Sequence, residues 1–398
     1  MMSRRTVLQT LIAVPAELLA KDPEVYWTRM REEHFLLPKW RAYLNNGSLG
    51  VAPRPVVKAV NDYMELGASL TENDYPRWGY ETLDAHREQF AKFIGCKKSE
   101  LAIMHSATEA MSTIAAGIDL KPGDEVLITD QEHPSGRGCW YMRQARQGIK
   151  VREVKIVLPP KSAEQLVDTI VSAIGPNTRV LSFSGILTTT GLILPVREIC
   201  DAARSKGVIT VVDGAHMLGQ IPVRISDLNC DYFAASPHKW MFAPPGSGLL
   251  YIREENLGKL WPAIVTGNWD DTKLGAARFM MVGTNNRAIV EGAVAGLKFL
   301  ETIGSGNVYK RIHDLARDVR RRAAAIPYLE LVTPDDDRMY GGLVTFKFRD
   351  KDPKPFREAC AKRRIWIYGG DMLRVSTHIH TRRRDLDALF GAMRETLG

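Results

Sequence analysis

Short apolar runs recur through the middle of this chain. Each is cut off by polar residues and followed by a helical stretch. Residues 100–105, 124–130, 179–184, 208–213 and 232–235 read as strands, and stretches such as 163–174 and 195–206 read as helices. Alternation of this kind predicts βαβ units and a mostly parallel sheet. In such a sheet ligands bind beyond the carboxyl ends of the strands. The residues just after strand ends are therefore the first place to look for chemistry. They include His105, Ser106, His133, Thr188, Asp213 and Lys239.

The most informative of these ends is Asp231-Tyr-Phe-Ala-Ala-Ser-Pro-His-Lys239-Trp240. The apolar run stops at Ser236-Pro237, because proline has no N–H to give the ladder. A hydroxyl, an imidazole and an amine then follow closely: Ser236, His238 and Lys239. A lysine at the mouth of a buried strand is costly to keep charged, and forming a Schiff base is one way to lose that charge. Upstream, another apolar run ends in Asp213-Gly-Ala-His216. An amine for an imine and a carboxylate for a pyridinium nitrogen are what pyridoxal phosphate (PLP) chemistry needs most. Singly, each has a plainer reading. A lysine after a strand is usually a solvated loop residue, and a strand-terminal Asp usually caps the next helix. Their order along the chain is what carries the argument. Ser106-Ala-Thr-Glu109 adds a helix start with small residues, a hydroxyl and free amides, which makes an anion site. The same residues also form an ordinary cap, with Glu109 completing a capping box.

In this arrangement the chain resembles the class V aminotransferase family of fold-type I PLP enzymes, over about residues 43–381. Asn45-Asn-Gly-Ser-Leu-Gly50 and Asp213-Gly-Ala-His216 are most similar to its isopenicillin N epimerase-like branch. The resemblance implies an α/β fold with a mostly parallel seven-stranded sheet flanked by helices, and a smaller α+β C-terminal domain. It implies Lys239 as Schiff-base lysine and general base, Asp213 on the ring nitrogen, and His133 stacked on the ring. Ala107, Thr108, Ser236 and His238 would hold the phosphate, with Ser106 at the same helix start. Thr188 would lie near the phenolic oxygen, and His216 would hydrogen-bond it. Thr284, in Gly283-Thr-Asn-Asn286, would reach the phosphate of a neighbouring subunit, which makes a homodimer. Arg374 would grip the substrate α-carboxylate, which its planar fork suits, and Asn46 would sit near the substrate. The implied activity is that of a PLP-dependent aminotransferase or epimerase acting at the α-carbon of an amino acid. A β-lyase for a cysteine-derived substrate and a non-catalytic PLP-fold binding protein are the alternatives. Desulfurases of this family need a mobile nucleophilic cysteine. The loop 365–371 has none, which argues against desulfuration.

Composition bears on what remains. With 398 residues, 45% hydrophobic and 25% charged, the chain suits a soluble globular protein of two lobes. No apolar run is long enough to span a bilayer. Its net charge of +8 lies largely in the arginine-rich stretches 317–322 and 382–384. Without a nucleic-acid module or interleaved aromatics, these read as solvated helix faces rather than a nucleic-acid site. Five scattered cysteines form neither a disulfide framework nor a zinc site. His378 and His380 lack a further ligand, so metal is not expected. Ser3-Arg-Arg-Thr-Val-Leu8 resembles a twin-arginine motif, so periplasmic export after cytoplasmic folding stands beside a cytoplasmic location. The expected organisation is a signal segment over 1–20 and an N-terminal helix over 21–45 that packs on the small domain. A large PLP-binding domain follows over 46–303, then a small domain over 304–398.

Overall fold

The computed structural model describes residues 14–69, 79–370 and 372–397. The twin-arginine motif lies outside them. In chain order the central sheet comprises β1 (Leu101–Met104), β2 (Glu125–Thr129), β3 (Lys150–Val154) and β4 (Thr178–Ser184). It continues with β5 (Ile209–Asp213), β6 (Tyr232–Ala235) and β7 (Gly248–Ile252). The spatial order is β1-β7-β6-β5-β4-β2-β3. β7 runs antiparallel to both neighbours, and the other pairings are parallel. The expected mostly parallel α/β sheet is present. β1, β6 and β7 are buried along their whole length, as strands covered on both faces are. Because β1 to β6 all point one way, Met104, Thr129, Ser184, Asp213 and Ala235 end at one edge of the sheet.

Local chemistry changes one helix boundary and one cap from their sequence expectation. The helix expected from residue 80 is Asp84–Ile94, because Leu83 sits left-handed at φ 46° and breaks the run before it. Ser106 caps the helix Ala107–Gly117 by accepting from Glu109 N at 3.1 Å. Glu109 does not complete the box. Its carboxylate turns one residue further back, to His105 N at 2.7 Å and His105 Nδ1 at 2.8 Å.

A second sheet is antiparallel. It contains β8 (Leu329–Leu331), β9 (Leu343–Phe348), β10 (Tyr368–Gly369) and β11 (Met372–Ser376), in the order β10-β11-β9-β8. The helix Ser305–Ala324 joins the two cores. Val308 and Ile312 pack into the large one, while Leu315, Ala316 and Val319 pack into the small one. The helix Pro23–His34 puts Tyr26, Trp27 and Met30 into the large core. Its Arg31 donates to His380 O at 2.7 Å, across to the C-terminal region. Most of the arginines of 317–322 and 382–384 face carboxylates, among them Asp318, Asp335, Asp337 and Asp385. Among the described residues no helix is long and apolar enough to cross a membrane.

Candidate active site

The edge where the parallel strands end encloses a cavity of about 210 Å³. Five of the six parallel strands, all but β3, send one or more residues to its wall. Ser106, Ala107 and Thr108 come after β1, and His133 and Gly136 after β2. Thr188 follows β4, Asp213 and Ala215 close β5, and Ser236, His238 and Lys239 follow β6. Ser48 enters from the N-terminal loop. A larger open cleft of about 870 Å³, bordered by Lys97, Glu100 and Arg253, holds none of these strand-end residues.

Two chain features place Lys239. Proline at the first position of the short helix Pro237–Trp240 ends β6 and turns the chain. Gly50 donates to His238 O at 3.0 Å. A Cβ on Gly50 would stand 2.2 Å from Lys239 O, so only glycine lets the N-terminal loop pack this closely. Burial, with Arg374 adding to it against the pull of Asp213, pushes the Lys239 amine down to about 8. Asp213 is buried, and its Oδ1 accepts from Ala215 N at 3.0 Å. Gly136 leaves room over it, because a Cβ there would stand 3.1 Å from Asp213 Oδ2.

Three imidazoles surround this pair. His133 caps the helix Pro134–Gln147, with its Nδ1 accepting from Ser135 N at 3.1 Å. Burial, then the Lys239 charge, lowers its pKa. His238 donates Nδ1–H to Ser247 O at 3.0 Å. His216 lies just behind the wall, with Nε2 3.0 Å from Lys239 Nζ. At the helix start, Ala107 N donates to Ser236 Oγ at 3.3 Å. A Cβ on Gly248 would lie 2.5 Å from Ser106 N, so the bare glycine admits this turn.

Arg374, on β11, comes from the small domain and is buried. Its Nη1 donates to Thr188 O at 2.9 Å. Its Nη2 donates to Asn45 Oδ1 at 3.1 Å and Ser48 Oγ at 2.7 Å. The guanidinium lies 4.2 Å from the centroid of the Tyr368 ring. Its Nε has no partner. Burial lowers its pKa to about 10. Among the described residues no carboxylate pairs with it, which is a costly state for a buried cation.

The sequence-derived residues therefore divide. Ser106, Ala107, Thr108, His133, Thr188, Asp213, Ser236, His238 and Lys239 meet at one cavity. His216 and Arg374 touch its lining residues from behind. Asn46 is turned away, with its amide donating to Lys239 O at 2.8 Å and its Oδ1 facing His380 Nε2 at 3.2 Å. Thr284 is exposed and does not line this cavity. His105 is drawn off to Glu109 and to Asn285. Sequence reading missed Asn45 and Ser48 as partners of Arg374. The repeated Asn-Asn-Gly-Ser offered several polar candidates and no direction for their side chains.

The model of the class V aminotransferases matches residues 42–394. The chain belongs to the class V aminotransferase family. Among the relatives, an isopenicillin N epimerase from Amycolatopsis lactamdurans is 31% identical, over 93% of this chain and 98% of its own. A cysteine desulfurase from Haloferax volcanii is 28% identical over 88% of each. In fold it is similar to a solved C-DES mutant with glycine covalently linked to its PLP cofactor. That likeness has a TM-score of 0.79 and 24% identity, covering 89% of this chain and 97% of the other.

The cofactor of this class V protein is pyridoxal 5′-phosphate. The cavity fits it on chemical grounds. It offers an amine whose pKa burial has lowered, a buried carboxylate, an imidazole and a glycine-admitted helix start with hydroxyls.

Proposed function

We propose that this class V protein uses PLP to labilise the Cα–H bond of an α-amino acid, in an epimerase- or aminotransferase-type reaction. The observation that carries this is Arg374, a buried cation beside the cavity that lacks a carboxylate partner among the described residues. A substrate carboxylate would compensate it with two charge-assisted hydrogen bonds. When bound, PLP supplies an electron sink for the bonds at the substrate α-carbon.

The chain's residues then take these roles. Lys239 Nζ would anchor the cofactor and, as a free amine, would take the α-proton. Its lowered pKa suits a base working near neutrality. Asp213 pairs with the ring nitrogen. His133 would lie against the ring, and His216 would offer a hydrogen bond to the ring oxygen, near Thr188. Ser106, Ala107, Thr108, Ser236 and His238 hold the phosphate, and Arg374 orients the substrate through its carboxylate. Asn46 supports the backbone of Lys239 rather than the substrate. Thr284 would serve a neighbouring site in a homodimer.

The epimerase-like reading is supported by the 31% relative that spans nearly the whole chain. Family relatives that are desulfurases keep sulfur transfer in view, but the thiols here weigh against it. Cys139, Cys200, Cys230 and Cys360 are buried, and none lines the cavity. Burial pushes Cys139 and Cys360 up to about 12, away from the reactive thiolate.

The test is to incubate the PLP-loaded enzyme with single amino acids in deuterated water. Deuterium at the α-carbon, with or without inversion or keto-acid formation, is the expected result. Sulfide release from cysteine without α-exchange would replace this reading by desulfuration.

A further inference from the structure

The hydrogen-bonding roles around Lys239 are fixed by a side chain that does not line the cavity. Trp240 is fully buried beside it. Its indole Nε1 lies 3.2 Å from His216 Nδ1. An indole nitrogen can only donate, so His216 Nδ1 must carry the lone pair. His216 is itself buried, and burial keeps its ring neutral. A neutral imidazole with a bare Nδ1 carries its proton on Nε2. That Nε2 faces Lys239 Nζ at 3.0 Å. An ammonium group has three donors and no acceptor, so it cannot complete a hydrogen bond with a ring N–H. The contact is satisfied only when the amine is neutral and accepts.

We infer that Trp240 is a positioning residue: it locks His216 as the Nε2–H tautomer, and the locked ring favours the unprotonated, carbonyl-reactive form of the Lys239 amine over the charged one. The inference rests on the proposed role of Lys239 in anchoring the cofactor.

The surroundings hold both rings in place. The indole stacks on His378 with centroids 5.7 Å apart and planes at 21°. His378 Nδ1 accepts from Ile379 N at 2.8 Å, so its Nε2–H is the donor to Trp240 O at 3.2 Å. A Cβ on Gly342 would stand 2.8 Å from indole Cζ3, so the strand start there closes on the ring. On the other side, His216 O accepts from Gln220 Nε2 at 2.6 Å, and Gln220 Oε1 accepts from Gly342 N at 2.7 Å. Other charged and titratable groups face the amine as well. Asp213 favours its charged form and Arg374 opposes it. His133 and His238 also feel its charge.

The test has two arms. First, the full-length chain, freed of cofactor and labelled with 15N-histidine, is examined by NMR. His216 is assigned by its absence in His216→Gln. A bare Nδ1 and a protonated Nε2 at neutral pH are expected. A charged ring, or the proton on Nδ1, overturns the lock without any further variant. Second, Trp240→Phe keeps a ring on His378 and removes the donor. PLP uptake is then followed by absorbance across pH in both proteins. The midpoint should move up by about one pH unit, because the freed ring can turn its lone pair to a charged amine. Uptake at neutral pH should slow about tenfold. An unmoved midpoint overturns the proposal. If the wild type takes up no cofactor at any pH, the functional reading fails instead, and the NMR arm alone decides the lock.

Discussion

Replacing Arg374 by methionine separates its two roles. In the cofactor-free protein the side chain makes three hydrogen bonds, to Thr188 O, Asn45 Oδ1 and Ser48 Oγ. Losing them costs about 0.5–1.5 kcal/mol each. Against this, the substitution removes a buried cation with no carboxylate among the described residues, a state that itself costs several kcal/mol. The two effects are of similar size and opposite sign. The melting temperature of Arg374→Met should therefore stay within about 5 °C of wild type. Substrate binding has no such offset. A two-pronged contact to a carboxylate loses two charge-assisted bonds, each about 1.5–3 kcal/mol. Amino-acid affinity should fall by about 10²–10⁴-fold. The assay is a titration of the loaded enzyme followed by its visible spectrum, with a thermal melt alongside. Simple amines without a carboxylate should bind equally to both proteins. A loss below tenfold for amino acids, or an equal loss for the amines, would refute the carboxylate assignment.

Other perturbations follow from the same geometry. Asp213→Asn should retain the fold but lower turnover by about 10²–10³-fold, since it removes the charge set against the ring nitrogen; steady-state kinetics with PLP in excess checks this. Lys239 is charged in the unfolded chain up to its ordinary range near 10.4 but is neutral in the fold above about 8. The unfolded state thus binds more protons in that window, so the Lys239 contribution makes the cofactor-free protein gain stability from about pH 8 to about pH 10. Lys239→Met should flatten that rise in denaturant titrations. Glu132 is buried between Thr129 Oγ1 and Ser184 Oγ, and burial pushes it up to about 7. A raised carboxyl loses stability as pH climbs from its unfolded value through the folded one. Glu132→Gln should then be the more stable protein at pH 8, by about 1–3 kcal/mol, and show little difference at pH 5. Gly50→Ala would put a methyl 2.2 Å from Lys239 O; gel filtration should show it shedding PLP that the wild type retains.

The fold and the heart of the site were legible because both rest on local signals. Apolar runs with sharp polar ends gave the parallel strands, and the edge rule then gathered His133, Asp213 and Lys239 without further geometry. What escaped depends on contacts far apart in sequence. Arg374 meets Asn45 and Ser48 across more than 300 residues, and neighbouring asparagines in a turn give no hint which one points there. Asn46 was placed near substrate, yet its amide is taken by Lys239 O and His380. Trp240 carries no signal of its own in the sequence. Its one polar atom matters only because a histidine 24 residues earlier turns to meet it. Glu109 left its capping role because His105 offered two donors one residue earlier. Helical propensity around residue 80 was overridden by the left-handed turn at Leu83.

Everything proposed for this cavity depends on Lys239 carrying the cofactor. The direct measurement is to load the full-length protein with PLP, reduce it with borohydride, digest it and map the modified peptide by mass spectrometry. One modified residue is expected, Lys239, within the peptide that also holds Ser236 and His238. Stable modification at a different lysine, or none after saturating PLP, would contradict it.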